Sequence, residues 1–107
     1  MLPRVTVEEV RLGSVRAFGP KGEPSAYLKS PVAGPVEVHA LGLAGDSQAD
    51  LKNHGGVDKA ILHYAFDHYK QWREEQPALA GKFDMAGAFG ENISTLGITE
   101  SHVCVGD

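Results

Sequence analysis

The sequence predicts a small, mainly β protein of the α+β class with short helical additions. Its 107 residues correspond to one domain. Its 13 glycines are spread among short apolar segments, at a frequency above the usual share of about 7%. This distribution is typical of many turns between short strands. A hydrophobic fraction of 42% with 22% charged residues excludes long disorder as the main state.

The first half of the chain reads as strands separated by turns. Two strands are predicted between Arg4 and Phe18, and Gly13-Ser14 between them fits a hairpin or a bulge. Two prolines and two glycines make residues 19–24 a loop, and a short strand is expected over 25–29. Residues 36–39 alternate with period two, which predicts a half-buried strand.

The second half carries the helical signal. We predict a strand over 60–64 and a helix over about 66–76, in which Tyr69 and Trp72 share a face. Pro77 ends that helix. The remaining short elements are a strand over 91–94, a turn or single helical turn over 95–101, and a strand over 103–105.

Charge and cysteine usage limit the classes of partner. The net charge of −4 argues against nucleic acid or an anionic membrane as the main partner. The single Cys104 excludes an internal disulfide and favours a reducing compartment. Because it lies between two valines, we expect a buried and inert thiol. With neither a signal-peptide pattern nor a long apolar run, the expected location is the cytoplasm.

The segment from His54 to Lys59 is the densest candidate for ligand chemistry. Gly55 and Gly56 would allow backbone amides to approach a ligand and form an anion-binding nest. His54 and Lys59 could add charge-assisted donors to a phosphate or an oxyanion. The alternative is a glycine turn with both side chains in solvent.

Two further segments could contribute to a pocket. Lys29 and Ser30 offer a cation and a hydroxyl to a phosphate, or else form a solvated loop. Glu91 and Asn92 could stand at a pocket rim, or form a turn before a strand. Asp46 follows a glycine in a turn, where aspartate usually accepts hydrogen bonds from the next backbone amides.

Histidine spacing gives little support to a metal site. His63 and His68 are five positions apart, so they do not share a helical face as an i,i+4 pair would. A second cysteine is lacking, and we predict no protein-ligated zinc site. The phosphate-loop lysine motif and the serine-hydrolase elbow are also missing from the sequence.

Taken together, five ordered blocks resemble the MOSC domain, named after the C-terminal domain of molybdenum cofactor sulfurases. Within that family the resemblance is strongest to the stand-alone bacterial proteins that protect against N-hydroxylated base analogues. It covers the chain from about Val7 to Asp107. The blocks are Lys29–Val36, Gly42–Asp50, His54–Ala60, Gly90–Ser94 and Val103–Asp107.

The resemblance implies a MOSC-type β-barrel with short helical additions, of which residues 1–107 form the N-terminal portion. It implies molybdenum cofactor, a molybdenum held by a phosphorylated pterin dithiolene, and reduction of N-hydroxylated compounds such as hydroxylaminopurines. Electrons would come from a redox partner protein. Pyridoxal phosphate is implied only through the family's sulfurase association, and a homodimer is a further expectation.

Carried over block by block, the resemblance gives a set of cofactor-binding residues and no catalytic residue. The family's reactive cysteine follows the last block, so Cys104 is not its equivalent. We therefore expect a fragment of a longer oxidoreductase that is inactive alone, or else a non-catalytic carrier of cofactor or sulfur. The expected cofactor-binding residues are Lys29, Ser30, His54, Gly55, Gly56, Lys59, Glu91 and Asn92.

Overall fold

A computed structural model describes residues 4–52 and 55–106 and is organised around a four-stranded sheet. Strand β1 (Thr6–Leu12) lies inside the sheet and pairs antiparallel with β8 (Ile93–Leu96). Strand β8 pairs in parallel with β7 (His63–Ala65), and β1 pairs on its other edge with β4 (Ser30–Pro31). The order is therefore β4-β1-β8-β7, which joins both halves of the chain.

Two small antiparallel ladders lie outside this sheet. Strand β2 (Arg16–Phe18) pairs with β3 (Glu23–Ser25), and β5 (Val38–His39) pairs with β6 (Gly42–Leu43). Gly42 has φ of +127°, a conformation that favours glycine. These ladders have two or three residues per strand, so they extend the loops around the main sheet.

The helical segments are short. Helix α1 (Tyr69–Glu75) continues from a 3₁₀ turn at Phe66–His68. Pro77 begins the next 3₁₀ segment, Pro77–Phe83, because the first helical position needs no backbone N–H. A last 3₁₀ turn, Glu100–His102, is closed by a capping box from Thr99.

Aromatic side chains form the centre of the packing. Tyr69 has no exposed surface and meets Phe83 and Phe89 edge to face, at ring-centroid distances of 6.1 and 5.5 Å. Tyr64 stacks on Phe89 with centroids 4.3 Å apart. Trp72 packs on the same ring at 5.6 Å and donates its indole N–H to the Tyr64 hydroxyl. Such pairs contribute about 0.5–1.5 kcal/mol beyond burial, so α1 is held to the sheet mainly by aromatic contacts.

The predicted class is confirmed: strands dominate, with a few short helices between them. The helix near 66–76 is confirmed as one 3₁₀ turn followed by α1. The strand predicted over 60–64 is displaced to β7. The strands of residues 4–52 and 55–106 do not close into a barrel.

The hairpin or bulge predicted at Gly13-Ser14 is wrong, since β1 and β2 pair with different partners and the irregularity in β1 lies between Val7 and Glu9. Gly13 is required for close packing: a Cβ there would lie 2.8 Å from the Ala26 carbonyl oxygen. Its N–H donates to Asp46 Oδ1 at 2.8 Å. This contact turns the chain out of β1 toward a distant segment, so no local hairpin forms.

Three further strand predictions need correction. Residues 26–29 are not a strand, because the ladder begins earlier, at Glu23, and pairs there with Phe18. Residues 36–37 lie outside β5, which is exposed. Residues 103–105 are irregular and pair with no strand of the described chain, so Cys104 is exposed and the expected buried thiol is wrong. Over the same described ranges, no helix has the length and apolar character needed to cross a bilayer.

Candidate functional site

A cavity of about 660 Å³ lies between the loops that surround the main sheet. Its size is within the range of small-molecule sites, about 300–1,000 Å³. Charged, amide, aromatic and aliphatic side chains all line it. The lining includes Tyr27, Lys29, Asp46, Gln48, Ala49, Asp50, Asp58, Lys59, Ile61, Leu62, Phe89 and Asn92, together with Gly90.

Asp46 is the hub of the polar groups in this cavity. Its Oδ1 accepts hydrogen bonds from Lys29 Nζ and from the Gly13 amide, both at 2.8 Å. Its Oδ2 accepts one from Asn92 Nδ2, also at 2.8 Å. The side chains of Lys29 and Asp46 are only 7% and 1% exposed. The expected role of Asp46 in capping its own turn is therefore wrong, because its partners are distant in sequence.

Lys29 keeps part of its hydrogen-bonding capacity for a ligand. Its ammonium has three N–H donors. One donates to Asp46 and another to the Ala26 carbonyl at 3.0 Å. Among the described residues no further side chain accepts from this ammonium, and Lys29 lines the cavity. Ser30 is exposed in β4 and does not line the cavity, so the two members of this predicted pair are separated.

Asn92 joins the cavity to the sheet. Its Oδ1 accepts from the Leu62 amide at 3.0 Å, and its Nδ2 also donates to the Arg11 carbonyl at 3.2 Å. The side chain is 2% exposed. Asn92 thus lines the cavity and ties β1, the approach to β7 and Asp46 together.

Glu91 lies behind the cavity wall. It is fully buried and does not line the cavity. Its Oε2 accepts from the Tyr69 hydroxyl, and its Oε1 accepts from the Phe89 amide at 3.1 Å. The carboxylate faces the protein interior rather than the rim where the sequence suggested it, and it contacts the neighbouring loop through the Phe89 amide.

Of the predicted segment 54–60, Asp58, Lys59 and Ala60 line the cavity, whereas Gly55 and Gly56 do not. His54 lies outside the described residues, so its predicted role stays a prediction. Gly55 and Gly56 have φ of +129° and +77°, and Lys59 lines the cavity. A Cβ added at Gly56 would meet no atom within 4 Å, so the space beside its Cα is open.

Several cavity residues were missed by the sequence reasoning. Asp50 and Asp58 line the same cavity as the two lysines, and the aromatic residues Tyr27 and Phe89 also belong to its lining. The sequence held one indication of this aromatic surface, the glycine at position 90. Gly90 has φ of +72°, and its backbone packs against the Tyr27 ring. A Cβ at Gly90 would lie 2.8 Å from that ring.

Burial and Glu91 together raise the pKa of Tyr69. Burial disfavours the phenolate, and the Glu91 carboxylate accepts a hydrogen bond from the Tyr69 hydroxyl and repels a second negative charge. The unfolded chain would begin to lose this proton near its ordinary pKa of about 10. The contribution of this buried hydroxyl to the free energy of unfolding is therefore fully present below that pH, and it falls as the pH rises through it.

We predict that Tyr69→Phe flattens this alkaline loss. Urea unfolding of the wild type and the variant between about pH 8 and 11 measures it. The wild type should lose more stability over this range, because only it carries the buried hydroxyl. Equal losses in both proteins would show that other groups cause the alkaline dependence.

Over residues 50–107 the chain matches the MOSC domain model, and it belongs to that family. It is 48% identical to "Protein YiiM" of Escherichia coli K12 over 92% of this chain and 43% of that protein. It is 39% identical to a "Reductase" of Gibberella moniliformis over 92% of this chain and 18% of that protein. The chain thus spans less than half the length of these relatives.

Solved structures agree with the family assignment. The crystal structure of YiiM from Geobacillus stearothermophilus superposes with a TM-score of 0.66 at 33% identity. It covers 97% of this chain, which corresponds to 44% of that protein. The fold described above is therefore a MOSC fold. In the part of the chain that the structure describes, no three His, Cys, Asp or Glu side chains are grouped to hold a metal ion.

Proposed function

We propose that this chain supplies a cofactor-binding cavity to a molybdenum-dependent enzyme that reduces N-hydroxylated compounds. The observation that carries the proposal is the cavity itself, which is lined by basic, aromatic and aliphatic side chains in a MOSC-family chain. The "Reductase" relative supports reductive chemistry. Hydroxylaminopurines are the proposed substrates.

The lining fits a flat, phosphorylated pterin. Tyr27, Phe89, Ile61 and Leu62 provide apolar surface for a planar ring. A pterin carries an amino group and ring N–H groups along one edge, and carboxylates accept hydrogen bonds from such donors. Asp50 and Asp58 give the cavity acceptors of this kind, although both also oppose an anion.

The phosphate end of the ligand would be held by the basic groups. We assign it to the remaining N–H of Lys29, to Lys59 and to the amides of Gly55 and Gly56. Asp46 keeps the Lys29 ammonium in place, and Asn92 keeps Asp46 in place. When bound, the cofactor supplies the two-electron chemistry that removes a hydroxyl oxygen from nitrogen, with electrons from a redox partner protein.

A non-catalytic carrier of cofactor or sulfur is the second candidate. It is favoured by the position of Cys104, the only thiol in the 107 residues, which is exposed and does not line the cavity. A thiolate is the usual soft ligand for such metal or sulfur chemistry. This chain does not present one at the cavity.

We predict that filling the cavity slows the reduction of 6-hydroxylaminopurine. The test uses this chain and a chimera that continues it with the remaining length of the Escherichia coli relative, both from cells that make molybdenum cofactor. With a chemical reductant, the chimera should turn over, and Ala49→Trp should lower its rate at least about tenfold, equivalent to about 1.4 kcal/mol. Ala49 is exposed and lines the cavity.

Ala40→Trp is the matched control, because Ala40 is also exposed but does not line the cavity. It should keep the wild-type rate. A cofactor-loaded chimera without turnover would reject the enzyme in favour of the carrier. Equal rates in both tryptophan variants would remove the cavity from the proposal.

A further inference from the structure

We propose that Tyr69 and Glu91 are positioning residues for the aromatic wall of the cavity. The wall is defined here as residues 87–90, which contribute Phe89 and Gly90 to the lining. Neither Tyr69 nor Glu91 touches the cavity. The inference rests on the proposed function, because it assigns to this wall the recognition of the ligand's flat ring.

Two backbone amides of the wall donate hydrogen bonds to this buried pair. The Ala88 amide donates to the Tyr69 hydroxyl at 3.1 Å, and the Phe89 amide donates to Glu91 Oε1 at 3.1 Å. The Tyr69 hydroxyl in turn donates to Glu91 Oε2. Each side chain therefore binds one residue of the wall, and the hydrogen bond between them makes the two ties a single unit.

Burial isolates these hydrogen bonds from water. Tyr69 and Glu91 have no exposed surface, so water cannot replace a lost partner without the structure opening. A buried carboxylate without its donors costs several kcal/mol. The wall loop cannot move away from the pair without leaving polar groups unsatisfied, and its position is fixed accordingly.

Aromatic contacts also hold the Phe89 ring. Tyr64 stacks on it at 4.3 Å and Tyr69 meets its edge at 5.5 Å. On the cavity side, the Tyr27 hydroxyl donates to the Ala88 carbonyl at 2.5 Å. The wall is thus clamped on both sides, which preorganises an aromatic surface for a planar ligand.

The basic end of the cavity is held by a separate set of contacts. Lys29 is fixed by Asp46 and the Ala26 carbonyl, and within residues 4–52 and 55–106 neither of these groups forms a hydrogen bond with Tyr69 or Glu91. Loss of the pair should therefore weaken recognition of the ring and spare recognition of the anion. A general loss of structure would weaken both.

The test compares Tyr69→Phe with Tyr64→Phe, using free pterin and inorganic phosphate as separate probes. Tyr64→Phe removes a hydroxyl from the same aromatic cluster, where it accepts from Trp72 instead of the wall. We expect Tyr69→Phe to weaken pterin binding about tenfold, as for a lost hydrogen bond to a charged group. Phosphate binding should stay within about twofold, and Tyr64→Phe should change neither.

Hydrogen exchange of the ligand-free protein gives an independent readout. In Tyr69→Phe the amides of Ala88 and Phe89 should exchange about tenfold faster, whereas those of β8 should not change. Glu91→Gln keeps an acceptor for the Phe89 amide and should retain wall protection, and Glu91→Ala should lose it. These glutamate variants decide the question if Tyr69→Phe does not fold.

The outcomes separate the two proposals. A wild type that binds no pterin would reject the proposed function, and exchange at the wall would still decide the positioning role. Unchanged wall exchange in both Tyr69→Phe and Glu91→Ala would overturn that role. Parallel loss of pterin and phosphate binding would overturn it as well, because it would show only a structural effect.

Discussion

Replacing Asp46 by alanine should destabilise the protein by about 3–5 kcal/mol, the cost of breaking a buried ion pair by removing one partner. Asp46 is the common acceptor for Lys29, the Gly13 amide and Asn92. Without it, an ammonium that is only 7% exposed stays buried without its counter-charge. This loss would be a large part of the free energy of unfolding of a typical domain, which is about 5–15 kcal/mol.

Urea unfolding at neutral pH measures this effect. Asp58→Ala is the matched control, because Asp58 also lines the cavity but is exposed. It should change stability by no more than about 0.5 kcal/mol. A similar small change in Asp46→Ala would contradict the description of Asp46 as the hub of the site.

Asn92→Asp should destabilise the protein by about 3 kcal/mol at neutral pH, since it removes a hydrogen bond to a charged group and adds a like charge. The two side chains have nearly the same shape, so packing is preserved. Asn92 Nδ2 lies 2.8 Å from Asp46 Oδ2. The Asn92 side chain is buried, so a carboxylate in its place could not turn toward solvent. A second carboxylate there would face the first directly.

The penalty should depend on pH in a defined direction. As the pH falls from about 7 to about 4, the carboxylate pair in the variant can share one proton, and the difference from the wild type should shrink. As the pH rises again, the difference should return. Unfolding of the wild type and the variant by urea at several pH values measures it.

Gln48→Glu is the control for this prediction. Its Nε2 lies 3.5 Å from the same Asp46 oxygen and the residue is only half-buried, so water can screen an added charge. We expect a penalty of less than about 1 kcal/mol. A pH-independent penalty in Asn92→Asp, or equal penalties in the two variants, would contradict the proposed geometry.

The sequence predicts best where local spacing carries the signal. Helix α1 follows from the shared face of Tyr69 and Trp72 and from Pro77. The two strands of the first 18 residues follow from apolar segments on either side of Gly13. The pairing of these strands was not predicted, because Gly13 acts through contacts with distant residues.

The site shows the same limit. Three partners of Asp46 lie 17, 33 and 46 positions away, so its turn-like surroundings gave no sign of them. Glu91 and Asn92 are neighbours, but in the extended segment that leads into β8 they point to different surroundings, one behind the wall and one into the cavity. Of the expected cofactor-binding residues, Lys29, Lys59 and Asn92 line the same cavity, and their role in binding a cofactor stays a prediction.

The most direct test of the central claim is the molybdenum and pterin content of the chain purified from cells that make the cofactor. We predict that the wild type and Ala40→Trp retain molybdenum and pterin in a constant ratio, and that Ala49→Trp loses both. The chimera with the Escherichia coli relative should give the same order. Neither component in wild type or chimera, equal retention by Ala49→Trp, or bound pyridoxal phosphate in place of pterin would contradict the assignment of this cavity to molybdenum cofactor.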